Sequence, residues 1–318
     1  MKILAFEQQQ SRSASEEELA VLLASDQTLV WVDMVGPTDD DVRAMEHNFG
    51  FHSLAIEDTL NQSQRPKVEE YEDHLFIILN PGERTNHTSY FRELDVFIGR
   101  NYFVTVHREP EPFIDEAVRR LSFNLNVSNT PGHLLYVLMD AVVDGYFQIV
   151  DAVSEDLDLL EDAVLQKPDG GNVAQLLALR RSILAMSRIV SAQRDMFNAL
   201  IRPDLPFLAY TVLQYHMRDV HDHIIRVTES LNIYREVVTT LVELHTSAIT
   251  NRLNEVVNRL TIGTIIVGTL GLTTGFYGMN FAHTWPPFSA EWGVDFALAV
   301  MLVLIVIILA TFKRLRWY

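Results

Sequence analysis

The pattern of apolar and polar positions divides the chain into a region with strands, a purely helical region and an apolar C-terminal region. Short runs of β-branched and aromatic residues predict strands at 29–34, 75–79, 94–98 and 102–106. Helical periodicity surrounds these runs at 39–48 and 112–125. The last two strands are joined through 99–101 as a hairpin. We therefore predict an α/β domain with a mixed sheet over residues 1–128.

Residues 129–259 carry no strand pattern and are predicted to be helical. Two helices are expected at about 132–166 and 172–201, and each ends at a cluster of proline or glycine. A third helical pattern starts near residue 207 and continues without Pro or Gly to Gly263. At Gly263 the chain is already inside an uncharged segment. Such a helix is a stalk that can transmit motion rigidly between the cytosol and a membrane.

Two uncharged segments close the chain, at 260–280 and 296–312. A helix of about 20 apolar residues spans a hydrocarbon core of about 30 Å, so we predict two transmembrane helices. The alternative is a pair of buried helices in a soluble protein. The loop 281–295 contains no Lys or Arg, whereas the tail 313–318 is basic. By the positive-inside rule the loop is external, and both termini are cytoplasmic in a multi-pass protein of the cell inner (cytoplasmic) membrane.

The first span is rich in glycine and threonine, which a lipid contact does not require. A stripe of positions three or four residues apart lies on one helix face and comprises Asn254, Val257, Leu260, Thr264, Gly268 and Gly271. Close helix packing explains small residues such as Gly271 and Gly275. A ring of such faces would also line a narrow pore with hydroxyls and backbone carbonyls but no fixed charge. Both interpretations remain open from the residues alone.

Acidic residues outnumber basic ones by 42 to 25, which gives a formal net charge of −17. Such a chain is a poor partner for nucleic acid, and divalent cations are its natural partners. The absence of cysteine excludes disulfides and thiolate zinc sites.

The acids are concentrated on one predicted helix. Helical spacing places Asp144, Asp151, Glu155, Asp158 and Asp162 on one face, and no Lys or Arg interrupts the stretch 140–166. This face is either a solvated surface or an electrostatic collector for cations near an inner pore mouth.

The segment Tyr277-Gly278-Met279-Asn280 ends the first span and resembles the selectivity filter of the CorA family of magnesium transporters, whose signature is Gly-Met-Asn. The short external loop, second span and basic tail agree with this resemblance. Segments 57–61, 64–69 and 218–223 also resemble family segments. A helix that ends at a pore mouth presents unpaired carbonyls, and these with the Asn280 amide can bind Mg²⁺ through its water shell.

The resemblance implies an α+β membrane protein that assembles as a funnel-shaped homopentamer. It is expected to be a channel, not an enzyme, that imports Mg²⁺, with Co²⁺ and Ni²⁺ as further candidate ions. In the pore, Asn254 would be a polar ring, Val257 and Leu260 a hydrophobic constriction, and Glu243 an acidic ring in the stalk. The family's mid-span proline motif is replaced here by Gly268-Thr269-Leu270-Gly271.

The resemblance also implies that carboxylates at subunit contacts sense internal Mg²⁺, which would then be both transported and regulatory. These map to Asp58 and Asp219, with Glu57, Asp144 and His223 as lesser candidates. Read without the family, Asp219 and His223 are one helical turn apart on a solvated face.

Three other functions compete with this interpretation. A zinc transporter of the same superfamily would vary the middle residue of the motif, which Met279 argues against. A membrane-tethered scaffold would have the spans and conduct nothing. A metallohydrolase on Asp219, His221, Asp222 and His223 has the right ligand types, but adjacent helical residues point in different directions.

Overall fold

The computed structural model describes residues 1–7, 10–61, 64–85, 88–123, 130–166, 172–202, 205–208, 210–279, 285–287 and 291–315. The chain forms two compact units. The first comprises Met1–Asp162 and Asn172–Thr240, and the second comprises Ala163–Gly171 and Leu241–Tyr318.

The first unit is built on a seven-stranded sheet in the order β2-β1-β3-β9-β8-β5-β4. Its strands are β1 (Lys2–Glu7), β2 (Gln10–Ala14), β3 (Leu29–Val35), β4 (Lys67–Glu70), β5 (Leu75–Leu79), β8 (Leu94–Ile98) and β9 (Tyr102–His107). A separate hairpin consists of β6 (Gly82–Thr85) and β7 (Thr88–Phe91). The neighbours β3 and β9 run parallel, and the other pairs of the large sheet are antiparallel.

The helices of the described residues are α1 (Leu19–Leu23), α2 (Asp39–His47), α3 (Ser53–Asn61), α4 (Pro112–Phe123), α5 (Pro131–Gln166), α6 (Asn172–Leu200), α7 (Tyr210–Gly278) and α8 (Gly293–Arg314). Helix α2 begins at a capping box, because the Asp41 amide donates to the Thr38 hydroxyl and the Asp41 carboxylate accepts from the Thr38 amide.

The core lies on the central strands, which are mostly apolar because both faces are covered. Every residue of β5 and β8 is buried. On one face, Met45 of α2 and Ile56 of α3 belong to the same buried cluster as Phe97 of β8. At the end of β5, the Tyr146 hydroxyl donates to the Asn80 carbonyl at 2.6 Å, which ties α5 to the sheet.

The four predicted strands and the predicted hairpin are confirmed, and the helices of the helical region are confirmed to within a few residues. Sequence reasoning missed strands β1, β2, β4, β6 and β7. Four of them, β2, β4, β6 and β7, are short and contain few apolar residues. Strand β4, for example, reads Lys-Val-Glu-Glu with no buried residue. Its place is decided by pairing with β5 and not by its own composition.

Three helices of the described residues are long and apolar enough to cross a membrane by length and composition. In α5 the apolar window is 72% buried inside the protein, whereas in α7 and α8 it is 6% and 0% buried. Helix α5 is therefore a core helix of the first unit. The apolar windows of α7 and α8 have almost no cover among the described residues, as expected of helical segments whose solvent is lipid.

Candidate functional site

Helix α7 carries the predicted pore residues on one exposed face. At 3.6 residues per turn, the positions from Glu243 to Gly271 fall within a sector of about 120°. All of them are exposed in the chain, and Val257 and Leu260 are 57% and 70% exposed. The buried residues of the same stretch occupy the other side of the helix and comprise Leu241, His245 and Ile262. The predicted pore face is thus uncovered in the chain, as is most of the surface of this part of α7.

The threonine hydroxyls of this helix bond to its own backbone. Thr264 donates to the Leu260 carbonyl at 2.9 Å, and Thr261 donates to the Val257 carbonyl at 2.7 Å. Each hydroxyl proton is therefore satisfied inside the helix, and the oxygen keeps lone pairs that can accept hydrogen bonds. An exposed oxygen of this kind, as at Thr264, suits the water shell of a cation.

The glycines of α7 have open space where a side chain would lie. A Cβ atom placed on Gly268, Gly271, Gly275 or Gly278 meets no atom within 4 Å. Small residues are therefore not needed at these positions for packing within the described chain. The glycine stripe instead leaves room for something outside the chain, either a neighbouring subunit or a hydrated pore.

The predicted selectivity filter lies where α7 ends at Gly278. The Met279 amide donates to the Phe276 carbonyl at 3.3 Å, and the Met279 side chain is exposed. Tyr277 is half-buried and packs edge-on against Phe276. Asn280, the last residue of the predicted filter, lies outside the described residues.

The candidate sensing residue Asp58 is already paired with a cation of its own chain. Its Oδ2 lies 2.6 Å from Lys67 Nζ, which also lies 2.7 Å from Glu69 Oε1. Behind this group, Asp95 of β8 is 1% exposed, and burial raises the pKa of its carboxyl well above the usual value. Glu57 is exposed on α3.

The second candidate sensing residue, Asp219, lies on α7 in the first unit. Its Oδ1 is 3.7 Å from His223 Nε2, and the His223 ring packs edge-on against Phe147 of α5. Asp219 is largely exposed, so its carboxylate is accessible to an ion or to another subunit.

Asp144, a lesser candidate for the sensor, differs from the rest of the predicted acidic face because it is paired with an arginine. The Arg120 guanidinium lies 2.6 Å from Asp140, 2.7 Å from Asp144 and 2.8 Å from Glu116. Arg120 therefore bridges α4 and α5 and partly neutralises the charge of Asp144. The four remaining members of the face are exposed to solvent and comprise Asp151, Glu155, Asp158 and Asp162.

Within the described residues, no three His, Cys, Asp or Glu side chains converge on a point that could hold a metal ion. Asp58, Asp219 and Asp144 each have a different partner in the chain. The metallohydrolase centre on Asp219, His221, Asp222 and His223 is likewise not assembled in that part of the chain.

Sequence reasoning missed two basic residues that face these acids. Lys67 stands in the segment 64–69 that resembles the family, yet nothing in its spacing from Asp58 predicts their contact. The sequence likewise gave no indication of the contacts of Arg120, because this residue meets Asp140 and Asp144 only after α4 folds onto α5.

The comparison with protein families decides the class. The model of the CorA-like Mg²⁺ transporter protein family matches residues 26–314. The chain belongs to the CorA-like Mg²⁺ transporter family. It is also 30% identical over 295 residues to the cobalt/magnesium transport protein CorA of Thermotoga maritima, covering 91% of this chain and 84% of the relative.

Solved structures agree with the CorA family at the level of the fold. The complete structure of the CorA magnesium transporter from Methanocaldococcus jannaschii has a TM-score of 0.84 at 24% identity, covering 100% of this chain and 99% of that one. The cytoplasmic domain of ZntB from Vibrio parahaemolyticus has a TM-score of 0.65 at 13% identity, covering 79% of this chain and 98% of that one.

Membership of the CorA family confirms the predicted class. The chain is a membrane transporter of divalent cations and not an enzyme. The predicted architecture, an N-terminal α/β domain followed by a long helix and a C-terminal apolar helix, is also confirmed.

Proposed function

We propose that this protein is a homopentameric channel that imports Mg²⁺ across the cytoplasmic membrane and closes when intracellular Mg²⁺ binds between its subunits. The observation that carries the proposal is the exposed face of α7, which presents neutral oxygens and uncovered glycines in an apolar window that is only 6% buried among the described residues.

A single copy of this face cannot enclose a pore. Five copies around an axis, as the CorA resemblance implies, would place Asn254, Val257 and Leu260 on the pore wall and leave α8 toward lipid. The basic residues that flank the two apolar segments favour cytoplasmic termini. This assignment gives the spans 260–280 and 296–312 and the external loop 281–295.

The chemistry of the α7 terminus favours a hydrated hard cation. Mg²⁺ releases water reluctantly and demands octahedral oxygen geometry, so neutral oxygens from residues 277–280 can hold its shell without trapping the ion. A relative is named a cobalt/magnesium transport protein, which makes Co²⁺ a second candidate ion. Ni²⁺ and Zn²⁺ are the remaining candidates to be compared.

The proposed gate depends on carboxylates from neighbouring subunits. Among the described residues, neither Asp58 nor Asp219 belongs to a group of three or more His, Cys, Asp or Glu side chains that could hold a metal, so we expect each to need an acid from another subunit to hold a divalent ion. Bare carboxylates repel each other, and a bridging Mg²⁺ attracts both. Occupied sites would therefore favour a closed symmetric ring. Helix α7 carries both Asp219 and the constriction residues, so it links the sensor to the gate.

Ion flux into liposomes that contain the purified protein tests this function. We expect Mg²⁺ to enter, and external Co²⁺ and Ni²⁺ to compete with it. A Zn²⁺ flux that Mg²⁺ does not inhibit would favour the zinc branch of the superfamily. Absence of flux for every divalent ion from a correctly assembled protein would favour a scaffold.

A further inference from the structure

The carboxylate of Asp58 is occupied by the side chain of Lys67. The ammonium lies 2.6 Å from Asp58 and 2.7 Å from Glu69, and the Lys67 and Asp58 side chains are each 29% exposed. A fixed positive charge thus stands at the place where the proposed function puts a regulatory Mg²⁺.

The strand geometry explains how Lys67 is held there. Lys67 of β4 pairs with Ile78 of β5, which fixes its backbone in the sheet. Glu69 is two residues further along the same strand, so its side chain emerges on the same face. The Tyr71 hydroxyl donates to Glu69 Oε2 at 3.0 Å and orients this second acid.

Two acceptors for one ammonium make the Lys67 contact exchangeable. A divalent ion that approaches Asp58 repels the ammonium, because both are positive. Lys67 can then leave Asp58 and keep its ion pair with Glu69, so its ammonium does not become unpaired. Partly exposed ion pairs are weak enough to exchange in this way.

We propose that Lys67 is a tethered competitor of intracellular Mg²⁺ for Asp58, and that it sets the Mg²⁺ concentration at which the channel closes. The inference rests on the proposed function, in which Asp58 binds the regulatory ion. Because the ammonium is attached to the chain, it weakens Mg²⁺ binding by the same factor at every ion concentration. The opposite role, in which Lys67 merely orients Asp58, predicts the opposite change on its removal.

The test uses the full-length protein and three variants. Lys67→Met removes the charge and keeps the aliphatic length, and Lys67→Arg keeps the charge. Lys2→Met is the matched control, since it removes one charge from an exposed position of strand β1, five strands away from β4 in the sheet order. Two midpoints are measured against Mg²⁺ concentration. One is inhibition of flux by internal Mg²⁺, and the other is the Mg²⁺-dependent rise in thermal unfolding temperature in detergent, which requires no transport.

We expect Lys67→Met to lower both midpoints by about threefold to tenfold, and tenfold corresponds to about 1.4 kcal/mol. Lys67→Arg should keep both within about threefold of wild type, because the charge stays beside Asp58. Lys2→Met should leave both unchanged. A midpoint that is unchanged or raised in Lys67→Met overturns the competitor role, and Lys67→Gln provides the same comparison if the Met variant does not assemble.

An Asp58→Ala variant separates failure of the inference from failure of the proposed function. If Asp58→Ala leaves both midpoints at the wild-type values, Asp58 is not the sensor, and the role of Lys67 falls with it. If Asp58→Ala removes the Mg²⁺ response while Lys67→Met does not lower the midpoints, only the inference about Lys67 is overturned. When Lys67→Met is added to Asp58→Ala, it should not change the Mg²⁺ response further, because the competition needs the Asp58 carboxylate.

Discussion

At the residue scale, the absence of charge from Asn254 to Gly271 on the predicted pore face of α7 has the largest consequence. A carboxylate ring would bind a divalent ion strongly at this depth, whereas hydroxyls and carbonyls can exchange with the ion's water. The hydroxyl of Thr264 and the open surface at Gly268 and Gly271 fit this requirement. Ion passage then depends on the size of the opening and on the number of neutral oxygens.

The first prediction concerns the filter at the end of α7. Replacing Asn280 or Gly278 with Ala should reduce Mg²⁺ uptake to the level of empty liposomes, because the first change removes an amide oxygen and the second adds a methyl group at the helix terminus. Flux of a Mg²⁺-sensitive dye in liposomes measures the effect, with assembly checked by size-exclusion chromatography.

Gly263→Ala provides the matched control for this prediction. A Cβ atom at Gly263 also meets nothing within 4 Å, but helical geometry places this residue outside the predicted pore face. Its uptake should therefore remain close to wild type. Normal uptake by an assembled Gly278→Ala or Asn280→Ala protein would refute the filter assignment.

The second prediction concerns His74, which is 2% exposed and has no hydrogen-bond partner at either ring nitrogen among the described residues. It stacks on Tyr71 and faces Phe51, and burial lowers its pKa from 6.5 to about 4. The unfolded chain therefore binds more protons than the folded chain below about pH 6.5, so stability falls as the pH drops from 6.5 toward 4.

Replacing His74 with Phe should raise the unfolding free energy at neutral pH by about 1 to 3 kcal/mol, since a buried polar group without a partner is removed. The acid-induced decrease in melting temperature between pH 6.5 and 4 should also become smaller. Circular dichroism in detergent measures both. The same change at His47, exposed on α2, should leave the acid sensitivity unchanged; a His74→Phe protein as acid-sensitive as wild type would contradict the prediction.

At the element scale, α5 and α7 show how similar apolar content leads to different environments. Helix α5 buries its apolar window in the first unit, and α7 leaves its own uncovered. The acids of α5 differ in a similar way, because Asp144 pairs with Arg120 of α4 and Asp156 pairs with Arg84, whereas Asp151, Glu155, Asp158 and Asp162 face solvent. We expect these four acids to attract mobile cations.

The third prediction concerns these exposed acids of α5. Neutralising Asp151, Glu155, Asp158 and Asp162 together should slow flux modestly at low salt and hardly at all at high salt. The reason is that salt screens surface charges over a Debye length of about 8 Å at physiological ionic strength. Initial flux rates at two ionic strengths measure the effect.

A control with four exposed acids neutralised elsewhere keeps the same change in net charge, and it uses Glu16, Glu17, Asp39 and Glu46. This control should slow flux less at low salt if position matters. Complete loss of transport at both salt concentrations in the α5 variant would mean that the acidic face has a structural role.

At the scale of the whole molecule, the proposed Mg²⁺ channel requires feedback, because the membrane potential would drive Mg²⁺ inward. An elementary charge gains about 2.3 kcal/mol per 100 mV, which gives about 4.6 kcal/mol for a divalent ion. A channel that stayed open would overfill the cell. The proposed sensor closes the assembly by joining subunits, so it belongs to the pentamer and not to any one chain.

The fourth prediction follows from this sensor. Replacing Asp58 and Asp219 together with Ala should remove inhibition by internal Mg²⁺ and preserve ion uptake. Replacing Asp219 alone with Lys should favour closure without Mg²⁺, because the ammonium can pair with an acid of the neighbouring subunit. Liposomes loaded with increasing internal Mg²⁺ measure both effects. If the double Ala variant closes at the same internal Mg²⁺ as wild type, these residues are not the sensor.

The sequence by itself determined the features that depend on local periodicity and composition. The apolar strands such as Leu75–Leu79 and the unbroken α7 were predictable because burial on both faces and helix continuity leave direct patterns. The uncharged segments and the sequence motif Tyr277-Gly278-Met279-Asn280 were sufficient to indicate the CorA family, which the comparison with family models then confirmed.

The tertiary structure decided which charges meet. Lys67 reaches Asp58 because polar strand β4 pairs with β5 beside α3, and Arg120 reaches Asp144 because α4 packs near α5. Such contacts join residues from different elements, and no period along the chain encodes them. The burial of α5 was likewise decided by packing, since its composition alone also suits a membrane. Composition determines what an element can bury, and the fold determines what it meets.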